Sequence, residues 1–81
     1  MIVEPLNHKQ EKYLKTHRIV SKFSKQLALL VKHPNHPSLH TEKLVPNSMG
    51  IYSFRIDIHY RAIFRFTDDH VKIISITNHY R

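Results

Sequence analysis

His79 is a candidate catalytic residue because of the residues near it. It follows a predicted strand directly, precedes Tyr80, and can share a face or rim of the predicted sheet with Arg61. An imidazole transfers protons near neutral pH and a guanidinium stabilises phosphate charge, so this grouping suits cleavage of RNA. The alternative is a frayed chain end, with the strand arginines forming an ordinary solvated face that pairs with Asp57 or Asp68. The spacing alone leaves both interpretations open.

Three other histidines indicate a solvated loop more strongly than a metal site. His33, His36 and His40 lie close together, but the sequence has no cysteine and only Glu42 as a nearby carboxylate. A Pro-rich connection with polar histidines is the expected structure, and a metal site is the weaker alternative. We therefore expect neither a metal nor a cofactor.

Composition and charge limit the kind of protein this can be. The 81 residues and the absence of cysteine predict one domain over residues 1–81, with no disulfide framework and no thiol nucleophile. Thirteen Lys and Arg against six Asp and Glu give a formal net charge of +7, so we expect nucleic acid, an anionic membrane surface or an acidic protein as partner. No apolar stretch approaches the ~20 residues of a membrane span, and the N-terminus lacks a signal-peptide pattern, so the expected location is the cytoplasm.

The first half of the chain predicts a helical hairpin. Asn7 and Gln10 have the spacing of a capping box, so a first helix is expected over residues 8–15. Thr16 can cap a second helix over residues 17–32, which the following prolines would end. Its apolar residues recur at the spacing of a one-faced amphipathic helix: Ile19, Val20, Phe23, Leu27, Leu30 and Val31.

Strand-like segments precede and follow the hairpin. The short apolar run at residues 1–6 predicts an edge strand or a strand end, because Pro5 has no backbone donor. Residues 33–50 form a long connection with three prolines and the only glycine, and a connection of this length indicates a functional loop. Three strand-like runs follow, at residues 51–58, 60–66 and 71–77, with a turn at residues 68–70.

These elements predict an α+β fold of two layers. The N-terminal helical hairpin is expected to pack on a mostly antiparallel β-sheet of three to four strands. The face toward the helices takes the alternating apolar residues, Ile58 among them. The opposite face is expected to present Arg55, Arg61 and Arg65 to solvent as a basic concave surface.

Several motifs in the second half carry a resemblance to a known family. Glu42 and Leu44 lie in the Pro-rich connection. They are followed by the motifs GIYSFRI at 50–56, HYR at 59–61 and TDD at 67–69, and by His79-Tyr80, after which one arginine remains. In order and spacing, the segment 36–81 resembles the RelE/ParE superfamily of type II toxins, and within it the YoeB-like branch of ribosome-dependent mRNA interferases.

The resemblance implies a role for each matching residue. Glu42 would be the general base on a ribose 2′-hydroxyl, Arg61 would stabilise charge on the scissile phosphate, and His79 would protonate the 5′-oxygen leaving group. Tyr80 would help to orient the substrate. The chemistry needs no metal. Further basic residues are expected to bind RNA: Lys43, Arg55, Arg65 and Arg81.

The same resemblance implies partners and leaves alternatives open. An acidic antitoxin would order on the basic face, and the ribosome and mRNA would be the targets, with the toxin acting as a monomer or a homodimer. One alternative is a ParE-like protein that binds DNA gyrase without performing chemistry. Another is a non-catalytic relic that only binds an antitoxin.

Overall fold

A helical hairpin packs against one face of a five-stranded mixed sheet. The structure, a computed structural model, describes residues 1–44 and 50–78. The elements in chain order are β1 (Ile2–Val3), α1 (His8–Thr16), α2 (Val20–Lys32), a short 3₁₀ helix (Pro37–Leu39), β2 (Glu42–Lys43), β3 (Ile51–Arg55), β4 (Tyr60–Thr67) and β5 (His70–Asn78). The strand order is β1-β5-β4-β3-β2, and all neighbours are antiparallel except β1 and β5. The predicted α+β fold, with its hairpin on a mostly antiparallel sheet, is confirmed.

The predicted number of strands, three to four, is wrong, because a two-residue strand lies at each edge of the sheet. The edge strand predicted over residues 1–6 is reduced to β1, which pairs in parallel with β5 and is held by an Ile2 N–H donated to the Asp69 carbonyl at 2.8 Å. Strand β2 pairs with β3 inside what was expected to be an irregular connection. A strand of two residues is too short to show any periodicity in the sequence.

Helix α1 begins at the predicted capping box, which also fastens the helix to the sheet. The Asn7 side-chain oxygen accepts from the Gln10 backbone N–H at 2.8 Å, and the Gln10 side-chain oxygen accepts from the Asn7 backbone N–H at 3.1 Å. The Gln10 Nε2 atom donates to the carbonyl of Ile73 at 2.9 Å and to that of Ile74 at 3.3 Å. One side chain therefore caps the helix and links it to β5.

The end of α1 corrects the predicted start of the second helix. Arg18 has a φ of 57°, its N–H donates to the Lys15 carbonyl, and the Ile19 N–H donates to the Leu14 carbonyl at 3.0 Å. This is the Schellman pattern, and the accompanying apolar contact is supplied by Leu14 and Ile19, each only 3% exposed. The left-handed residue interrupts the helix, so α2 begins at Val20 and Thr16 ends α1 instead of capping α2.

The core lies between the helices and one face of the sheet. Its buried members are Leu14, Ile19, Phe23, Leu30, Leu39, Phe54, Ile56, Ala62, Phe64, Val71 and Ile73. Two residues assigned to the apolar face of α2 from spacing, Val20 and Val31, are 43% and 39% exposed, so that part of the prediction is wrong. They lie near the two ends of α2. In the residues that the structure describes, no helix is long and apolar enough to cross a membrane.

Strand β3 is shorter than predicted because Asp57 ends it with a hydrogen-bonded turn. Its Oδ1 atom accepts from the backbone N–H of His59 at 2.8 Å and of Tyr60 at 2.9 Å. Ile58 therefore lies in the turn and is 73% exposed, so the prediction that it faces the core is wrong. The predicted turn after β4 is present, with Asp68 and Asp69 both at positive φ.

A bulge in β5 keeps the apolar residues of that strand on the helical face. Ile63 pairs with Ser75 and Phe64 with Ile73, which leaves Ile74 as the extra residue. The bulge shifts the alternation by one position. Core-facing residues therefore occur on both sides of it: Val71, Ile73 and Ile76.

A buried glutamine joins the helical layer to the two segments that carry most of the site. Gln26 of α2 is 8% exposed, and its Nε2 atom donates to the carbonyl of Arg55 at 2.9 Å and to that of Ser38 at 3.2 Å. Two carbonyls from distant parts of the chain thus depend on one donor group.

Replacement of Gln26 by methionine tests this link. The side chain keeps nearly the same volume but loses the donor, so two carbonyls lose their partner, and we expect the free energy of unfolding in urea to fall by about 1–3 kcal/mol. The matched control is Lys25→Met at the exposed neighbouring position, where we expect a change within about 0.5 kcal/mol. Equal effects of the two substitutions would contradict the role of Gln26.

Asp57 also makes stability depend on pH. Burial alone would raise its pKa, but the two backbone donors and the Lys22 ammonium, 3.2 Å from Oδ2, together lower the pKa below its ordinary value. A carboxylate whose pKa is lowered by folding stabilises the fold above its unfolded pKa, about 4, and loses that contribution as pH falls through the folded pKa.

We therefore expect Asp57→Asn to lower the free energy of unfolding at pH 7. The free energies of unfolding of the variant and of wild type should become equal as pH falls toward 3. Asparagine can still accept the two backbone hydrogen bonds, so the difference reports the charge. Urea unfolding of both proteins from pH 7 to pH 3 measures it. A difference that stays constant over this range would refute the assignment.

Candidate functional site

The arginine at the centre of the predicted site, Arg61, is buried. It lies in β4 on the face of the sheet opposite the helices, yet it is 8% exposed. We expected a solvent-facing arginine, so this prediction is wrong. The difference arises because the segment before β2 contacts the guanidinium: Arg61 Nη2 donates to the His40 carbonyl at 2.6 Å.

A serine on the neighbouring strand supplies the remaining acceptors. Ser53 of β3 is 3% exposed, and its Oγ atom accepts from Arg61 Nη2 at 2.8 Å and from Arg61 Nε at 3.1 Å. The Ser53 carbonyl lies 3.4 Å from Nη2. Because Arg61 pairs with Arg55 while Ser53 pairs with Ile63, serine and arginine are diagonal neighbours on one face of the sheet.

Glu42 lies beside this arginine, but on a strand and not in a loop. The register pairs Glu42 with Ser53, which puts the carboxylate on the same face as the guanidinium. Its Oε1 atom is 3.6 Å from Arg61 Nη2, and the Glu42 side chain is 65% exposed. In this pair the guanidinium is held in place by hydrogen bonds, whereas the carboxylate is exposed and lies just outside hydrogen-bond range.

Burial and neighbouring charges act on Arg61 in opposite directions. Burial lowers the pKa of its guanidinium, the Glu42 carboxylate raises it, and the Arg55 charge lowers it further. The net effect is a lowered pKa, but a guanidinium stays protonated in proteins at neutral pH. The site therefore combines a fixed cation with an accessible carboxylate.

Three of the four predicted RNA-binding residues are described by the structure, and they lie in different places relative to the Glu42–Arg61 pair. Arg55 pairs with Arg61 across β3 and β4, on the same face, and is half-buried. Arg65 shares that face and is exposed, but it lies four positions along β4, about 13 Å away at the usual rise per residue. Lys43 points to the other face, where its Nζ atom lies 5.9 Å from the centre of the Tyr52 ring. The structure thus brings Arg55 to the pair and separates Lys43 from it.

Three predicted residues, His79, Tyr80 and Arg81, lie outside the described residues. The β5 residue that pairs with Arg61 is Thr77, two positions before His79 in the sequence. The described part of β5 therefore runs to the edge of the site.

The sequence interpretation missed two groups that determine where Arg61 lies, the Ser53 hydroxyl and the His40 carbonyl. Ser53 could have been found, since a small hydroxyl residue on the arginine face of a strand is a natural acceptor for a neighbouring guanidinium. The His40 carbonyl left no signal, because any residue carries that group. Among residues 1–44 and 50–78, no group of His, Asp or Glu is arranged to hold a metal ion.

No family model matches this chain, and neither does any curated protein sequence. Among solved structures, the chain is similar to the YoeB–YefM complex from Staphylococcus aureus, with 28% identity, a TM-score of 0.70, and coverage of 98% of this chain and 94% of that one. A YoeB dimer from the same organism matches with 28% identity, a TM-score of 0.67 and the same coverage. The chain is thus similar to YoeB toxins in sequence and fold over nearly its whole length.

More distant solved structures share the fold of this chain. A YoeB/ParE toxin from Agrobacterium tumefaciens has 18% identity and a TM-score of 0.71, over 98% of this chain and 97% of that one. YafQ from E. coli has 14% identity and a TM-score of 0.73, over 95% and 89%. The two-layer arrangement is thus shared well beyond the YoeB-like structures.

The geometry predicts that the two members of the Glu42–Arg61 pair differ in their effect on stability. Glu42→Gln removes an exposed partner at 3.6 Å, so we expect the free energy of unfolding to change by no more than about 0.5 kcal/mol. Arg61→Met leaves the Ser53 hydroxyl and the His40 carbonyl without their donor, and we expect a loss of about 2 kcal/mol or more. Urea unfolding measures both variants. Similar losses for the two would mean that the ion pair itself holds the site.

Proposed function

We propose that this chain is the toxin of a type II toxin–antitoxin pair, and that it cleaves mRNA on the ribosome without a metal ion. The observation that carries the proposal is the buried, protonated Arg61 with the exposed Glu42 carboxylate 3.6 Å away, on the open face of a YoeB-like fold. A buried cation next to an accessible base is an arrangement that a purely structural sheet face does not need.

The proposed reaction is internal attack by a ribose 2′-hydroxyl on the adjacent phosphate. Glu42 takes the proton of the 2′-hydroxyl, and the resulting oxygen forms a bond to phosphorus. Arg61 stabilises the charge that grows on the non-bridging oxygens. His79 gives a proton to the 5′-oxygen as its bond to phosphorus breaks, leaving a 2′,3′-cyclic phosphate and a 5′-hydroxyl. Tyr80 orients the substrate.

The remaining basic residues would hold the RNA and the ribosome. Arg55 and Arg65 lie on the same face as the Glu42–Arg61 pair, so a strand crossing that face would meet their charges. The formal net charge of +7 favours docking on ribosomal RNA, and this attraction weakens as salt concentration rises. Arg81 belongs to the same proposed set. Lys43 is the weakest member, because its side chain lies over Tyr52 on the other face.

The proposed protein partner is an antitoxin whose acidic segment orders on the basic face and covers the site. The solved S. aureus protein with 28% identity is in complex with YefM, which supports a partner of this class. The YoeB dimer from the same organism supports a homodimer as an alternative to a monomer. Action on translating ribosomes would locate the toxin in the cytoplasm.

The test is primer extension on a reporter mRNA incubated with ribosomes and the purified chain. We expect codon-phased cuts that require ribosomes, carry a 2′,3′-cyclic phosphate and persist in EDTA. Glu42→Gln and His79→Ala should each lower the cleavage rate by about 10²–10⁴-fold, as expected for loss of a general base or acid. The matched control is Glu11→Gln, at an exposed carboxylate of α1, which should cleave like wild type.

An intact reporter, or cuts that survive both Glu42→Gln and His79→Ala, would contradict the proposal. Inhibition of DNA gyrase supercoiling that also survived loss of Glu42, Arg61 and His79 would favour the gyrase-binding alternative. Harmless expression of the chain alone, with no cuts, would favour the antitoxin-binding relic.

A further inference from the structure

We propose that Ser53 is a positioning residue, which orients Arg61 so that its Nη1 group meets the scissile phosphate and which keeps Arg61 from closing onto Glu42. This inference rests on the proposed function and assigns the group that makes Arg61 usable in it. Ser53 itself would touch neither the substrate nor the reacting atoms.

The guanidinium of Arg61 has five N–H groups on three nitrogens. The single Nε–H is donated to Ser53 Oγ at 3.1 Å. The two hydrogens of Nη2 are accounted for by the His40 carbonyl at 2.6 Å and by Ser53 Oγ at 2.8 Å. Within the described part of the chain, Nη1 makes no hydrogen bond. Among the contacts made by residues 1–44 and 50–78, the two N–H groups of Nη1 are thus the donors left for an anion.

This arrangement changes how the arginine can meet a phosphate. A guanidinium often binds an oxyanion through the parallel N–H groups of Nε and one Nη. Here one buried hydroxyl, that of Ser53, already occupies that edge. Arg61 must therefore approach the phosphate with its Nη1 end, and we expect it to favour one non-bridging oxygen over the other.

The same hydroxyl separates the proposed base from the proposed charge stabiliser. Glu42 Oε1 is 3.6 Å from Nη2, just beyond hydrogen-bond range, and its exposed side chain is free to move closer. Without the Ser53 hydroxyl, Nε would lose its acceptor in a buried site, and Nη2 would keep the His40 carbonyl and the weaker contact with the Ser53 carbonyl at 3.4 Å. The Glu42 carboxylate, 3.6 Å from Nη2, is the charged acceptor that could take the place of the hydroxyl, and a two-bond pair would withdraw both groups from the reaction.

A purely structural role for Ser53 makes a different prediction. If the hydroxyl only satisfied a buried donor, its loss would weaken folding and lower activity without changing which phosphate oxygen the enzyme contacts. A stereospecific readout at the scissile phosphate separates the two roles.

The experiment uses reporter mRNA with a single phosphorothioate at the cleaved position, in each of its two configurations, bound to ribosomes. Single-turnover rate and half-saturating toxin concentration are measured for wild type, Ser53→Ala, and the equal-sized pair Ser53→Thr and Ser53→Val. Threonine keeps the hydroxyl and valine replaces it with a methyl group. Urea unfolding of each variant checks that it is folded, and Thr and Val provide the comparison if the alanine variant is not.

For wild type we expect one configuration to be cleaved more slowly than the other. Ser53→Ala should lower the rate by about tenfold to a hundredfold, with a change in half-saturating concentration of less than about twofold, as misplacement of a catalytic group does. Its ratio of rates for the two configurations should move toward one. Ser53→Thr should keep the wild-type ratio, and Ser53→Val should lose it.

The outcomes distinguish this inference from the proposed function. If wild type cuts no ribosome-bound mRNA, the proposed function fails and the inference fails with it. If wild type cuts but shows no preference between configurations, or if Ser53→Ala and Ser53→Val keep the wild-type ratio, the proposed function stands and the role assigned to Ser53 is wrong.

Discussion

A guanidinium withdrawn from water needs acceptors within the protein, and this requirement around Arg61 organises the face of the sheet that carries the site. The side chain extends from β4, and its acceptors come from Ser53 on β3 and from the carbonyl of His40 just before β2. An unsatisfied buried charge would cost several kcal/mol, so these three segments have to keep a fixed relation. Glu42 follows His40 by two residues. By holding the His40 carbonyl, Arg61 therefore also fixes the position of the backbone that carries the proposed base.

The segment before β2 is held from the helical side as well. Gln26 of α2 donates to the Ser38 carbonyl and to the Arg55 carbonyl, while Arg61 donates to the His40 carbonyl from the strand side. The segment between Ser38 and His40 is therefore fixed by two different polar side chains. Within the described residues, each buried polar side-chain atom has a partner. The polar groups of this small protein thus add specific geometry to a core made of aliphatic and aromatic side chains.

The parts of the fold that could be predicted from the sequence are those set by neighbouring residues. The capping box of Asn7 and Gln10 and the turn at Asp68 and Asp69 depend on hydrogen bonds or backbone angles within a few positions, and both are present. The start of α2 was missed because its signal is usually a glycine, and here Arg18 adopts the left-handed conformation instead.

The residue types of the candidate site could be predicted from the sequence, but the burial of Arg61 could not. Glu42 and Arg61 were identified through a resemblance and their spacing, and the structure brings them within 3.6 Å. Burial of Arg61 could not be predicted, because it depends on a carbonyl 21 residues away and on a two-residue strand without periodicity. The roles of His79 and Tyr80 remain predictions from sequence, since both lie outside the described residues.

The hydrophobic core itself determines the geometry of the site through the register of the strands. Arg61 and Ala62 are consecutive, and a slip of one residue would exchange them, moving the guanidinium into a core where Ala62 is fully buried. The core residues of β4 therefore hold Arg61 opposite Arg55 and Thr77. The β5 bulge changes the alternation only beyond Ile63, so the register beside Arg61 stays regular. Apolar residues at the alternate positions are enough to hold this register, and many different apolar residues meet that condition, so the position of Arg61 does not depend on particular core side chains.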